Sequence, residues 1–347
     1  MTSEAPPFWW EEPDWRARVL SPVSWVYGVV AGRRMAHARR EKIAAPVLCV
    51  GNLTVGGSGK TPTAIAMARA ARRAGLKPGI LSRGHGGGIA AEPHLVDRDH
   101  DSARHVGDEP LLLARHASVV VTPRRADGAR LLLEKGCDFL IMDDGFQSAR
   151  IHADLSLIVI DARRGLGNGH TIPGGPMRAP LNRQMGYADA VLVVGEGDSA
   201  AAVVRLASRA GKPVYAATLR TVKAKRLAGR DFLAFAGIGD PEKFFRTVSE
   251  AGGHVAQRRV FGDHHAFAED DLAELAADAR AKKLELVTTE KDAVRLATGS
   301  QAARDFVAGL EVVAVEMKFE LASVPDRIIA DTIEAYDVRR HGVSRAG

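Results

Sequence analysis

Cysteine is nearly absent: Cys49 and Cys137 are the only two in 347 residues. Each lies in or beside an apolar segment and the pair has no metal-ligand spacing, so both read as buried thiols of a reducing compartment. The apolar run at 23–31 is about half the length needed to span a bilayer, which excludes it as a transmembrane helix. A secretory signal is not expected either, because Glu4, Glu11, Glu12 and Asp14 come first where basic residues would be needed. The guanine-reading pattern Asn-Lys-x-Asp is missing, as are His- or Cys-rich tracts, which argues against a GTP switch or a metal-delivery NTPase. There is no internal repeat and no low-complexity tract. Tryptophan is scarce and oddly placed: Trp9, Trp10, Trp15 and Trp25 are all of it.

What is present suits two domains more than one, with 46% hydrophobic and 26% charged residues. The net charge of +6 and a pI of about 9.4 favour an anionic partner, whether nucleotide, nucleic acid or anionic lipid. The four tryptophans precede the short apolar run, and Arg33, Arg34, Arg39, Arg40 and Lys42 follow it. Aromatic residues, an apolar face and a basic flank describe an interfacial amphipathic helix, or a helix docked on the protein's own core with a solvated basic end.

The apolar run Val47-Leu48-Cys49-Val50 leads into Thr54-Val55-Gly56-Gly57-Ser58-Gly59-Lys60-Thr61, and helix signals follow. A glycine-rich turn between a strand and a helix can aim its backbone N–H groups at phosphate oxygens. In such a P-loop Lys60 adds charge for the β and γ phosphates, and the Thr61 hydroxyl is a ligand for Mg²⁺. Thr54 stands where the usual pattern has glycine.

Helix signals run from Thr61 to Ala74 and from Ala126 to Lys135, ended by Gly75 and Gly136. Short apolar runs at Ile80-Leu81, 119–121, 139–142, 157–160 and 191–194 read as buried parallel strands. The expected fold is α/β, a P-loop NTPase-like, mostly parallel sheet sandwiched by helices, with a second, smaller α/β domain. The division is 1–42 for the N-terminal helix region, 43–218 for the nucleotide-binding domain and 219–347 for the smaller domain. Residues 212–225 carry two candidate strands that could link them, and 163–183 read as a long loop over the site.

Asp143-Asp144 after four apolar residues is a Walker-B-like ending, able to hold Mg²⁺ opposite Thr61. Gly107-Asp108-Glu109-Pro110 is either a carboxylate pair of the site or an ordinary helix start. In Asp263-His264-His265 a histidine beside an aspartate can tune a general base or cap a helix, while adjacent histidines suit a single metal ion poorly. Arg124, Arg125 and Arg178 are candidates for anion contacts or solvated surface.

These segments together resemble the tetraacyldisaccharide 4′-kinase (lipid A 4′-kinase) family. The resemblance is carried by 51–62, Leu81-Ser82-Arg83-Gly84, Gly107 to Pro110, Asp143-Asp144-Gly145-Phe146-Gln147, Asp161 to Arg164, Gly167-Asn168-Gly169, Pro173 to Arg178, Phe235 to Gly239, Asp263 to His265 and Thr289-Glu290-Lys291-Asp292. It implies a P-loop kinase moving the γ-phosphoryl group of ATP onto the 4′-hydroxyl of a lipid-linked glucosamine disaccharide 1-phosphate. It implies a site between two α/β/α domains, and peripheral attachment to the cytoplasmic face of the inner membrane. No nucleic acid and no obligate protein partner is expected. By family position Asp108 is the general base, paired with His264. Lys60 and the loop from Thr54 to Thr61 hold ATP, and Glu109, Asp143, Asp144 and Gln147 surround the metal and phosphates. Arg83, Arg125 and Arg178 face the substrate. The chain departs from the family at His85, often Tyr, at Ser148, often His, and at Ala179, often Glu, all on the expected lipid side.

Overall fold

The computed structural model describes residues 5–84, 87–88, 92–148 and 150–342. Two sheets organise the chain. The larger is built from β1 (Val47–Gly51), β2 (Pro78–Ser82), β3 (His94–Leu95), β4 (Ser118–Val121), β5 (Phe139–Asp143), β6 (Leu155–Asp161), β7 (Ala190–Val194) and β8 (Val214–Thr221). The smaller contains β9 (Asp231–Ala236), β10 (His254–Val260), β11 (Glu285–Thr289) and β12 (Glu311–Val313), and β13 (Val315–Phe319) then returns to the larger one. Strand order is β13-β8-β7-β6-β1-β5-β2-β4-β3 in the first sheet and β10-β9-β11-β12 in the second. Among the described strands only β13 with β8 and β3 with β4 pair antiparallel.

The central strands are buried on both faces because helices cover both. Every residue of β1, β2 and β5 is buried, as a continuous apolar run requires. One apolar layer includes Leu48, Val50 and Ile141, and the other includes Cys49, Leu140 and Met142, so the alternation along each strand feeds two cores. Both cysteines are free and buried, and burial pushes the Cys49 thiol up to about 12.

Two expectations change. Residues 212–225 contain a single strand, β8, which pairs parallel with β7 as part of the large sheet rather than a pair of linking strands. Residues 315–341, grouped by sequence with the smaller unit, lie on the large sheet: β13 pairs with β8, and the helix Val324–His341 packs on the helix Lys60–Arg73. That helix buries Val324, Ile328 and Ile329 in the first core, which draws the chain back.

The N-terminal helix Trp15–His37 starts at Asp14, whose carboxylate accepts from the backbone N–H of Arg16 and Ala17. Its small residues Ser24, Gly28 and Gly32 are buried. Thr171 Oγ1 donates to the Ser24 carbonyl at 2.7 Å, and the Gly174 N–H donates to Ser24 Oγ at 2.9 Å. A Cβ on Gly28 would stand 3.3 Å from Pro180, so the close approach favours glycine. The helix is therefore docked on the 171–183 segment through one face, while Trp15, Val19, Val23, Val26 and Val30 on another face stay exposed.

Candidate active site

Beyond β1 the chain turns through 52–59 into the helix Lys60–Arg73. Gly59 caps that helix with φ of +96°, a region side chains avoid, which is why glycine is needed there. The 173–178 segment runs beside the turn: the Val55 N–H donates to the Pro176 carbonyl at 2.9 Å, and the Arg178 N–H to the Leu53 carbonyl at 3.0 Å. This pairing carries Arg178 to the loop.

Across from it, β5 ends at Asp143, and Asp144 follows in a left-handed conformation with φ of +52°. Lys60 Nζ lies 3.8 Å from Asp144 Oδ1. Arg178 donates to both Asp144 oxygens, at 2.6 and 3.0 Å, and to Gln147 Oε1 at 3.2 Å. The adjacent carboxyls are driven apart. Burial pushes Asp143 up, Glu109 and Asp144 add to the effect, and it reaches about 7. Burial also pushes Asp144 up, but Lys60 and Arg178 overcome it and hold that carboxyl well below the usual range. Burial lowers Lys60, against the pull of Asp144.

A divalent cation fits this donor set. Asp143 Oδ1 and Ser58 Oγ are buried without a hydrogen-bond partner among the described residues, and Thr61 is buried at the same helix start. An orphaned carboxylate oxygen raised by neighbouring acids is relieved by a hard cation as well as by a proton.

The second sheet supplies the remaining groups. The helix Glu290–Ala297 opens on a capping pair: the Asp292 N–H donates to Thr289 Oγ1 at 3.1 Å, and Thr289 Oγ1 donates to Asp292 Oδ2 at 2.6 Å. Lys291 and Arg295, four apart, share the helix face turned to the short helix Asp108–Leu113. Lys291 Nζ contacts Glu109 Oε1 at 2.5 Å. Arg295 Nε lies 3.4 Å from Asp108 Oδ2, and its NH2 donates to the Gly237 carbonyl and Asp292 Oδ1, both at 2.7 Å. His264 follows β10 in a left-handed conformation with φ of +59°, and its Nδ1 lies 3.3 Å from Asp108 Oδ2. Burial pushes Asp108 up, yet the His264 contact and the charges of Lys291 and Arg295 bring it down to about 2. The contact with Asp108 raises His264, and Lys291 holds Glu109 below its ordinary value.

The structure thus brings Lys60, Asp144, Arg178 and Gln147 into one polar chain, and Asp108, Glu109 and His264 into another. It does not bring Arg125 to a substrate face. That guanidinium is 3% exposed and donates to the carbonyls of Leu81, Asp143 and Asp144, so it buttresses the carboxylate turn from behind. Arg124 is exposed and pairs with Asp127 at 3.8 Å. Arg83 is exposed after β2, Ser148 is exposed with its hydroxyl on the Gly145 carbonyl, and Ala179 is fully buried. His85 lies outside the described residues. Sequence reasoning gave no role to Lys291 or Arg295; the capping pattern from Thr289 to Asp292 was the available signal.

Two outcomes are expected from this geometry. Arg125→Ala should destabilise the protein by at least about 2 kcal/mol in chemical denaturation, because it strands buried carbonyls. Its folded fraction should keep the wild-type KM for acceptor, and a raised KM at unchanged stability would restore Arg125 as a substrate contact. The second concerns pH. A carboxyl raised from 3.8 to about 7 binds a proton in the folded state that the unfolded chain has lost, so its contribution is present below the unfolded value and lost as pH rises towards 7. His264, also raised, acts in the same direction through its own range. Melts of nucleotide-free protein in chelator should show Tm falling as pH rises from about 5 to about 8, with Asp143→Asn flattening the lower part of the slope. An unchanged slope in that variant would contradict the assignment.

Known proteins bear directly on this site. The profile of the tetraacyldisaccharide-1-P 4′-kinase family matches residues 16–334. A tetraacyldisaccharide 4′-kinase of Mesorhizobium japonicum is 62% identical over 341 residues, covering 98% of this chain and 99% of its own length. A Brucella ovis protein of the same name is 54% identical, covering 99% of this chain and 100% of its own length. Among solved structures, LpxK from Aquifex aeolicus in complex with ATP aligns with a TM-score of 0.70 and 25% identity, over 91% of this chain and 99% of its own. The match runs from the N-terminal helix to the last helix and includes both sheets, and so this chain belongs to the tetraacyldisaccharide-1-P 4′-kinase family.

Proposed function

We propose that this chain transfers the γ-phosphoryl group of ATP to the 4′-hydroxyl of a tetraacylated glucosamine disaccharide 1-phosphate, in lipid A biosynthesis. Family membership supports the activity and the acceptor, and ATP is the nucleotide in the Aquifex aeolicus relative. The observation that carries the mechanism is the meeting of Asp108 with His264 of the second sheet at 3.3 Å.

Phosphoryl transfer needs alignment and charge neutralisation more than covalent chemistry. The backbone N–H groups of 54–59 cradle the phosphates, and Lys60 places its ammonium on the β/γ oxygens. Thr61 and Asp143, with Glu109 and Asp144 nearby, would hold Mg²⁺, which supplies further neutralisation of phosphate charge. Asp108 accepts the hydroxyl proton as attack develops. A carboxylate near 2 is a weak base, but it suffices where the proton leaves late, and His264 shares the charge. Arg295 and Lys291 keep Asp108 and Glu109 ionised and oriented. Because the dyad joins residues carried beside both sheets, the base is intact only while the two keep the approach seen here. ATP consumption with and without the amphiphilic disaccharide phosphate tests the reading: turnover should require the acceptor, and equal turnover without it would reject it.

The acceptor is a lipid, and the N-terminal helix is built to meet a membrane surface. No helix among the described residues is long and apolar enough to cross a membrane. The docked helix instead presents Trp15 and Trp25, 70% and 71% exposed, with Val19, Val23, Val26 and Val30. A groove lined by Arg33, Arg34, His37 and Arg39 leads from its end to Gln147 and Ser148, a basic approach for an anionic headgroup. We place the protein on the cytoplasmic face, where ATP is available. The double variant Val19→Gln, Val26→Gln should bind anionic vesicles at least roughly tenfold more weakly in flotation, with unchanged melting, since both side chains are exposed. Undiminished flotation would refute the surface assigned here.

A further inference from the structure

We propose that His94, Asp101 and His105 form a site for one zinc-class divalent cation, distinct from the phosphate-loop site. The three stand at the far edge of the large sheet. His94 is on β3, four strands from β1, Asp101 is in the connection that follows, and His105 is in the short helix Ala103–Val106. One ligand atom from each lies within 4.8 Å of the other two. His94 Nε2 is 2.6 Å from Asp101 Oδ2, and His105 Nδ1 is 2.8 Å from Asp101 Oδ1, so two imidazoles converge on the two oxygens of one carboxylate.

The arrangement of the rings points to a metal. Two imidazoles on one tetrahedral ion, at the usual Zn–N distance, place their ring centres about 5 Å apart. Here the centres are 5.0 Å apart and the planes meet at 68°. Ligand atoms around such an ion stand about 3.3 Å apart, so each of the two contacts must open by roughly half an ångström or a little more to admit it. Asp101 is buried and already oriented from behind, its Oδ2 accepting the Asp97 N–H at 2.8 Å, the kind of support that fixes a ligating carboxylate. Both histidines are partly solvent-exposed, leaving room for water at a fourth position. Paired imidazoles select a borderline ion such as Zn²⁺ or Co²⁺ over Mg²⁺.

The position suggests bracing. Two residues beyond His105 the chain reaches Gly107 and then Asp108, and the Ala103 N–H donates to Thr298 Oγ1 beside the second sheet at 3.0 Å. An ion here would tie the sheet edge to the connection that delivers Asp108.

The competing possibility is a network held by protons alone, and glutamine separates the two. His94→Gln and His105→Gln keep a side chain able to donate to Asp101 and remove the imidazole ligand. Tag-free, nucleotide-free protein is stripped with chelator, desalted and titrated with Zn²⁺ calorimetrically in excess Mg²⁺. A parallel titration with Co²⁺ is followed by visible absorption, and thermal melts are taken with and without Zn²⁺. The expected result is one Zn²⁺ per chain, a Co²⁺ absorption band, and a Tm raised by Zn²⁺. Each Gln variant should melt like the wild type without metal, bind about tenfold or more weakly, and lose the zinc-induced rise. Absence of stoichiometric Zn²⁺ binding to wild type, or equal binding by both variants, would overturn the proposal.

Discussion

Replacing Lys60 with alanine is expected to lower phosphoryl transfer by roughly 10²- to 10³-fold while the protein still folds. Lys60 opens the helix after the phosphate loop and points its ammonium to within 3.8 Å of Asp144. Burial disfavours its charge, so the ligand-free protein holds a cation in a place where phosphate oxygens would stabilise it most. The loss falls on the transition state, where charge on the transferring group is greatest. The fold should survive because Asp144 keeps both contacts from Arg178, and the loop keeps its bonds to the 173–178 segment. Steady-state kinetics at saturating ATP beside a thermal melt decides the matter, and wild-type turnover in a folded Lys60→Ala sample would remove Lys60 from the mechanism.

The second large effect is expected at the dyad. Asp108→Ala should reduce kcat by about 10²- to 10⁴-fold with little change in ATP affinity, since Asp108 faces the acceptor in this mechanism. His264→Ala should act on the same step. If the two work as one unit, the double variant will be scarcely slower than the worse single one. Charge balance argues that these variants fold: without Asp108, Arg295 retains Asp292, and Lys291 retains Glu109. Fully additive losses would assign the residues to separate roles.

Legibility followed distance along the chain. The phosphate loop and Asp143-Asp144 were readable because their chemistry is local, a buried strand delivering polar groups at its end. Asp108 and His264 are 156 residues apart in sequence, and only the family resemblance joined them; the 3.3 Å contact supplies the geometry. Arg125 misled because guanidinium beside a phosphate site reads as an anion contact, whereas burial turns it onto backbone carbonyls. Lys291 and Arg295 had no assigned role because the carboxylates they face, Glu109 and Asp108, stand far back in the sequence on the helix Asp108–Leu113. The return of β13 to β8 was equally silent, since a short strand carries no mark of which sheet it joins.

Regiochemistry of the product is the sharpest test of the proposed reaction. Full-length protein is incubated with γ-labelled ATP, Mg²⁺ and tetraacyldisaccharide 1-phosphate, and the recovered lipid is examined by phosphorus–proton correlation NMR. The expected product carries a second, labelled phosphate on the 4′ carbon, formed in step with ADP and about 10²-fold or more slower in the Asp108→Ala sample. Label released only as inorganic phosphate, or attached at any other position of the disaccharide, would contradict it.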